Sequence, residues 1–116
     1  MKIVPKIWGE EHWIANNDKY CGKKLILKKG YRCSLHHHKI KEETFYIQSG
    51  KVLMELKDKK FIMNKGDFQN IKPGEWHRFT GLEDSEMFEF STQHFDEDTY
   101  RKTESEKINI DKLGLK

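Results

Sequence analysis

Residues 30–50 read Gly30-Tyr31-Arg32-Cys33-Ser34-Leu35-His36-His37-His38-Lys39-Ile40-Lys41-Glu42-Glu43-Thr44-Phe45-Tyr46-Ile47-Gln48-Ser49-Gly50. Tyr31 to His37 and Thr44 to Gln48 are rich in β-branched, aromatic and aliphatic residues, which predicts two strands. Ser49-Gly50 closes the second one, because Gly accepts the positive φ that a tight hairpin requires. Side chains alternate along a strand, so His36 and His38 project from one face and His37 from the other. Two imidazoles side by side on one face have a chelating arrangement, and Glu43 opens the next strand a short loop later.

The same punctuation runs outward in both directions. Glycines at 9, 22, 30, 50, 66, 74, 81 and 114 separate short apolar runs, as in a protein of many strands. Further strands are predicted at Glu11–Ala15, Leu25–Lys28, Val52–Leu56, Phe61–Met63, Phe68–Ile71, His77–Thr80 and Glu86–Thr92. Asn64-Lys65-Gly66-Asp67 and Lys72-Pro73-Gly74-Glu75 are turn signals. From about Asp96 to Leu115 the chain has helical or irregular character with few apolar anchors. No linker or repeat divides it, so residues 1–116 form one all-β domain, either a β-sandwich or a small barrel or jelly roll.

Composition narrows the class. A chain of 116 residues builds one core. Its mean hydropathy of -0.91 is polar, yet seven Phe, four Tyr and three Trp provide enough buriable area to exclude disorder. No apolar run approaches the roughly 20 residues of a membrane span, and the first residues lead into no signal-peptide core. A soluble, cytoplasmic protein with no membrane partner is expected, with Cys21 and Cys33 as reduced thiols filling space. Residues 1–60 carry 14 basic and 7 acidic side chains, residues 61–116 carry 8 and 12, and only three of the 22 basic residues are arginines. Scattered lysine without an arginine-rich face excludes a nucleic-acid reader.

About 35 residues after Glu43, His77 begins another strand directly behind the Pro73-Gly74 turn. Three imidazoles and one carboxylate on strands able to neighbour one another suit a divalent first-row transition metal and leave coordination positions open. A closed structural zinc site would use Cys thiolates instead. The ligand types accept Mn, Fe, Co, Ni, Cu or Zn.

Set against the glycines, these residues carry a sharper signal. Gly30, His36, His38, Glu43 and Gly50, at their spacings, resemble the first motif of the cupin superfamily, and Gly66 to His77 is similar to the second. Lys72 stands where the family usually has Pro, and Gly81 where it often has Asn. The resemblance implies a cupin double-stranded β-helix, a jelly-roll barrel, with His36, His38, Glu43 and His77 on the metal-ligand positions.

A narrower likeness runs through Ile7-Trp8-Gly9, Ser34-Leu35, Glu43 to Gly50, Phe88-Glu89-Phe90 and Asp96 to Arg101. In order and spacing these are similar to the cupin domain of type II mannose-6-phosphate isomerases. His36 departs from it, standing where that group commonly has Gln. The likeness implies a metal-dependent isomerase or epimerase acting on a sugar or sugar phosphate, with Glu89 as the catalytic base. Simple alternation instead turns Phe88 and Phe90 to the barrel and Glu89 to water. A dioxygenase and a non-catalytic carbohydrate-binding or sensing cupin are the alternatives.

The remaining polar residues read mostly as surface. Lys39 and Lys41 are either solvated or hold a phosphate or acidic sugar at the barrel opening. His94 reads as a surface bystander, Arg78 as an ion-pair or interface residue, and Glu42 as outward-facing. Glu89 is expected to be the one further acidic side chain on a strand passing the site. Trp8, Trp13 and Tyr46 are assigned to the core or to a dimer interface, and a small barrel pairing through its N-terminal strand is expected to form a homodimer.

Overall fold

The computed structural model describes residues 1–115. Among them run strands β1 (Lys2–Lys6), β2 (Gly9–Asn16), β3 (Cys21–Leu27), β4 (Tyr31–Arg32), β5 (His36–His37), β6 (Glu43–Ser49), β7 (Lys51–Leu56), β8 (Lys60–Asn64), β9 (Phe68–Ile71), β10 (His77–Gly81), β11 (Ser85–Ser91), β12 (Tyr100–Arg101) and β13 (Glu106–Lys107). Two short 3₁₀ turns, Asp96–Asp98 and Ile110–Leu113, complete the tail. No helix among the described residues is long and apolar enough to cross a membrane.

All strand pairs are antiparallel. One sheet has the order β1-β2-β3-β11-β6-β9; the other is built around β10, with β7 and β8 on one side and β4, β5, β12 and β13 on the other. The two inner faces enclose one core of Trp8, Leu25, Leu27, Phe45, Ile47, Val52, Met54, Met63, Phe79 and Met87. This is the all-β jelly-roll barrel that the motifs imply. Trp8, one of the three aromatics left between core and interface, is in the core and meets Phe79 edge-on at 5.2 Å.

Alternation builds the interior layer by layer. On β6, Glu43, Phe45 and Ile47 are all buried and face inward, with the intervening residues outward. On β3 the inward set is Cys21, Lys23, Leu25 and Leu27. In register across β3 and β11, Leu25 pairs Met87 and Lys23 pairs Glu89, so an apolar layer lies beside a charged one.

Three expectations need correction. The strand predicted over Tyr31–His37 is interrupted: β4 pairs β10 at Thr80 and β5 pairs it at His77, and the Cys33 amide donates to the Phe79 carbonyl between them. Phe88 and Phe90 do not face the barrel; they stack on each other on the outer sheet face, with Phe90 55% exposed. The reason is parity: Met87 is fully buried in the core, which turns Glu89 inward and its neighbours out. The tail also contributes strands, β12 pairing β5 and β13 pairing β4.

Both cysteines are free and buried. Burial pushes the Cys33 thiol up to about 12, which keeps it protonated and unreactive.

The departure at Gly81 has a structural reason. A Cβ there would lie 2.6 Å from the Lys28 carbonyl oxygen and 3.0 Å from Leu27 Cγ, and the Gly81 carbonyl accepts the Gly30 amide at 2.8 Å. The backbones are too close for any side chain. Gly81→Ala should therefore destabilise the barrel by about 1–3 kcal/mol, read as a lower denaturant midpoint; an unchanged midpoint would show that β10 can move aside.

Candidate metal centre

The second motif places His77 at the start of β10, and β5 pairs with it at His36, so the two imidazoles come from adjacent strands. His38 follows β5, its backbone carbonyl accepting the Gly74 amide of the Pro73-Gly74 turn at 2.6 Å. One potential ligand atom from each of His36, His38 and His77 lies within 4.8 Å of the others. Glu43 joins from β6: its Oε2 is 3.0 Å from His77 Nε2 and 3.3 Å from His38 Nε2. His37 points the other way, stacked on Tyr100 and edge-on to Trp76.

The imidazoles are oriented by backbone. Nδ1 of His36 donates to the Ser34 carbonyl at 2.8 Å, that of His38 to the Asp98 carbonyl at 3.0 Å, and that of His77 to the Glu75 carbonyl at 3.0 Å. A carbonyl only accepts, so each Nδ1 carries a proton, which leaves Nε2 to present a lone pair wherever the imidazole is neutral. His77 Nε2 and Glu43 Oε2 are buried with no hydrogen-bond partner. Convergent imidazole nitrogens, each fixed through its other nitrogen and joined by a buried carboxylate, are the kinds of donor a divalent transition metal takes. For Glu43 and His36 the electrostatics agree. Burial would raise the Glu43 carboxyl, but Lys41, His38 and His77 hold it well below the usual carboxylate range. Burial and the nearby His77 hold His36 neutral. For His77, burial is outweighed by Glu43, which raises it.

The sequence reading is corrected at Lys41 and His94. Lys41 is not solvated: it is 3% exposed, and its Nζ lies 2.9 Å from Glu89 Oε2, 3.4 Å from Glu43 Oε1 and 3.0 Å from His94 Nδ1. Burial opposes its charge, and Glu89 and Glu43 overcome burial, raising it. His94 lines a cavity beside these groups, edge-on to Trp13 and with Nε2 donating to Asp96 at 2.9 Å. Burial and Lys41 lower its affinity for a proton.

Glu89 is inside the barrel, 4% exposed and accepting from Ser91 Oγ at 3.3 Å. Nor is it the one further strand acid beside the site, because Glu11 on β2 lines the cavity too. Lys39 is exposed, its Nζ over the Tyr100 ring. Arg78 pairs with Glu55 at 2.6 Å across β10 and β7, and Glu42 faces out to Lys72 and Asn70.

Sequence reasoning passed over Asp98. Its buried carboxylate accepts the amides of Lys39 at 2.9 Å, Ile40 at 3.2 Å and Lys41 at 3.0 Å, while its carbonyl fixes His38. An acid in a charged tail gives no periodic signal, and its partners are almost 60 residues away.

Glu43, Glu89, Lys41, His36 and His38 thus line a cavity of about 300 Å³, with His77 behind them against Glu43; the volume is within the range of small-molecule sites. A family of cupin domains matches residues 24–91, which contain both motifs. This chain belongs to the cupin family. No curated protein sequence matches it. Among solved structures this cupin is similar to KdgF from Halomonas sp., with a TM-score of 0.77 and 17% identity over 84% of this chain and 92% of that one. It is also similar to oxalate decarboxylase from Bacillus subtilis, with a TM-score of 0.74 and 19% identity over 87% and 30%. The capsular polysaccharide assembling protein CapF from Staphylococcus aureus aligns with a TM-score of 0.75 and 22% identity over 86% and 33%. These likenesses show the fold.

Because Asp98 holds both His38 and the loop after it, Asp98→Ala should weaken metal binding by about 10–100-fold, as loss of such an orienting partner does. Competition against a chromophoric chelator measures it; wild-type affinity in the variant would show that the loop holds His38 without the carboxylate.

Proposed function

We propose that this cupin is a metal-dependent enzyme acting on a sugar or sugar phosphate as an isomerase or epimerase, with His36, His38, Glu43 and His77 as metal ligands and Glu89 as the base. The supporting observation is that Glu89, a buried carboxylate separate from the donor set, faces the same cavity and shares the Lys41 ammonium with Glu43. Aldose-ketose isomerisation by proton transfer moves a proton between neighbouring carbons and uses a base beside them, a role open to a buried carboxylate. A bound divalent metal supplies polarisation of the sugar carbonyl and adjacent hydroxyl.

In this reading Glu89 takes the proton from the hydroxyl-bearing carbon beside the carbonyl and returns it to the former carbonyl carbon, while the hydroxyl proton passes to the former carbonyl oxygen. Lys41 and Ser91 fix its carboxylate in one orientation. The two buried thiols fit a reducing, cytoplasmic setting. A specific contact favours a second reading: the Lys41 ammonium engages the Glu89 carboxylate at 2.9 Å, which suits a site that holds sugar hydroxyls without turning them over.

Two substitutions separate these readings, with turnover screened on aldoses, ketoses and their phosphates using the metal found in the purified protein. His77→Ala should lose the metal and any turnover while its β-type circular dichroism persists. Glu89→Gln should keep metal and ligand and lose turnover by a factor of about 100 or more. Unchanged turnover in Glu89→Gln would refute the base role, and ligand binding without turnover in the wild type would select the binding reading.

We also propose a homodimer. The outer face of the first sheet exposes Phe68, Phe90 and Tyr46, with Ile3 exposed on β1 at its edge, and an aromatic patch of this kind on a small barrel marks an interface. Solution mass should be near twice 13.9 kDa; a monomer at micromolar concentration would sink this.

A further inference from the structure

Across from Glu89 in register stands Lys23, which is 1% exposed and one of the largest fully buried side chains among the described residues. An ammonium has three N–H donors and no acceptor. Among the described residues the partner of Lys23 is Glu11 Oε1, at the long distance of 3.5 Å, with the Trp13 ring 4.2 Å away. A buried charge so thinly partnered is costly, and this one lines the cavity beside the metal centre.

It is not alone. Lys2 Nζ lies 4.3 Å from the same Trp13 ring, Lys6 Nζ is 4.0 Å from Glu11 Oε2, and both line the same cavity. Lys6 and Lys23 thus flank the Glu11 carboxylate, and with Lys2 the wall holds three ammonium groups from β1 and β3 against two carboxylates, Glu11 and Asp96. Burial pushes Glu11 up, but Lys23 and Lys6 outweigh it and hold it below its ordinary range, so it is ionised and already used as their counter-ion. The wall retains an excess of positive charge and spare N–H donors, with an indole face beside them.

We propose that this wall is an anion subsite: the carboxylate or phosphate of the substrate sits on Lys23 beside Trp13, with Lys2 and Lys6 at its rim, while the rest of the molecule reaches the imidazoles. The inference rests on reading the cavity as the substrate site, and it names the substrate class, a negatively charged small molecule in place of a neutral sugar. Lysines act as point charges with no fixed fork to select geometry, so carboxylate and phosphate share this chemistry.

Calorimetric titration of the metal-loaded protein with glucuronate, glucose 6-phosphate and glucose tests it. At least one charged ligand should bind roughly tenfold or more tightly than glucose, and which of the two does so identifies carboxylate or phosphate. Lys23→Met should bring that preference down to about twofold with metal content unchanged. Glu11→Gln, which removes the internal counter-ion, should tighten the charged ligand. A role of these residues in folding alone would not move affinity in opposite directions. Equal affinity for all three ligands, no binding of either charged one, a preference surviving Lys23→Met, or weakening in Glu11→Gln would each overturn the subsite. No turnover of any of the sugars with metal bound, with the anion preference intact, would overturn the enzyme reading and leave the subsite standing.

Discussion

One carboxylate, that of Asp98, gathers three consecutive amides of the loop between β5 and β6. Amides that point inward at a loop otherwise stay unsatisfied, at a cost of about 1–3 kcal/mol each, so this capture decides whether the loop can close over the barrel at all. Two consequences follow from it. His38 receives its acceptor from the Asp98 carbonyl, and Lys41, the third residue held, is carried into the interior, where it reaches Glu43 and Glu89. The C-terminal tail is thus part of the site's scaffolding although it supplies no potential metal ligand.

Inside the barrel the division between apolar and polar layers follows strand register. Leu25, Ile47 and Met87 form one level, Lys23, Phe45 and Glu89 the next, and Cys21, Glu43 and Ser91 the one beyond. β3 and β11 change from apolar to charged at the same height and β6 one level later, at Glu43, so the buried charges are gathered at one end of the barrel. Buried ions are tolerated where opposite charges and donors are in place, and Lys41 between two glutamates satisfies that condition. Lys23 satisfies it less well, which is why its surroundings read as built for something further.

The histidines were legible because strand alternation and spacing act over a few residues, and the two motifs keep ligands and glycines in a fixed order. Glu89 was less so: period-two reasoning started from its phenylalanine neighbours gives the wrong parity, and only the packing of Met87 into the core settles which face is inward. Lys41 and Asp98 were not legible. A lysine in a lysine-rich chain reads as solvated, and the contacts that bury it, with Glu89 and with the Asp98 carboxylate, come from residues 48 and 57 positions away. The break between β4 and β5 was hidden for a similar reason, since the residues spanning it have ordinary strand propensity.

The acceptors that orient the imidazoles are main-chain carbonyls at Ser34, Glu75 and Asp98. A carbonyl survives replacement of its side chain, so at Ser34 and Glu75 the orienting contact does not depend on which amino acid is present. The cavity wall, in contrast, is made of side chains such as Lys23, Trp13 and Glu11, each exchangeable without touching those acceptors. In such an arrangement ligand preference can drift through mutation while the three imidazoles keep their aim, which separates the inheritance of the coordination geometry from that of selectivity.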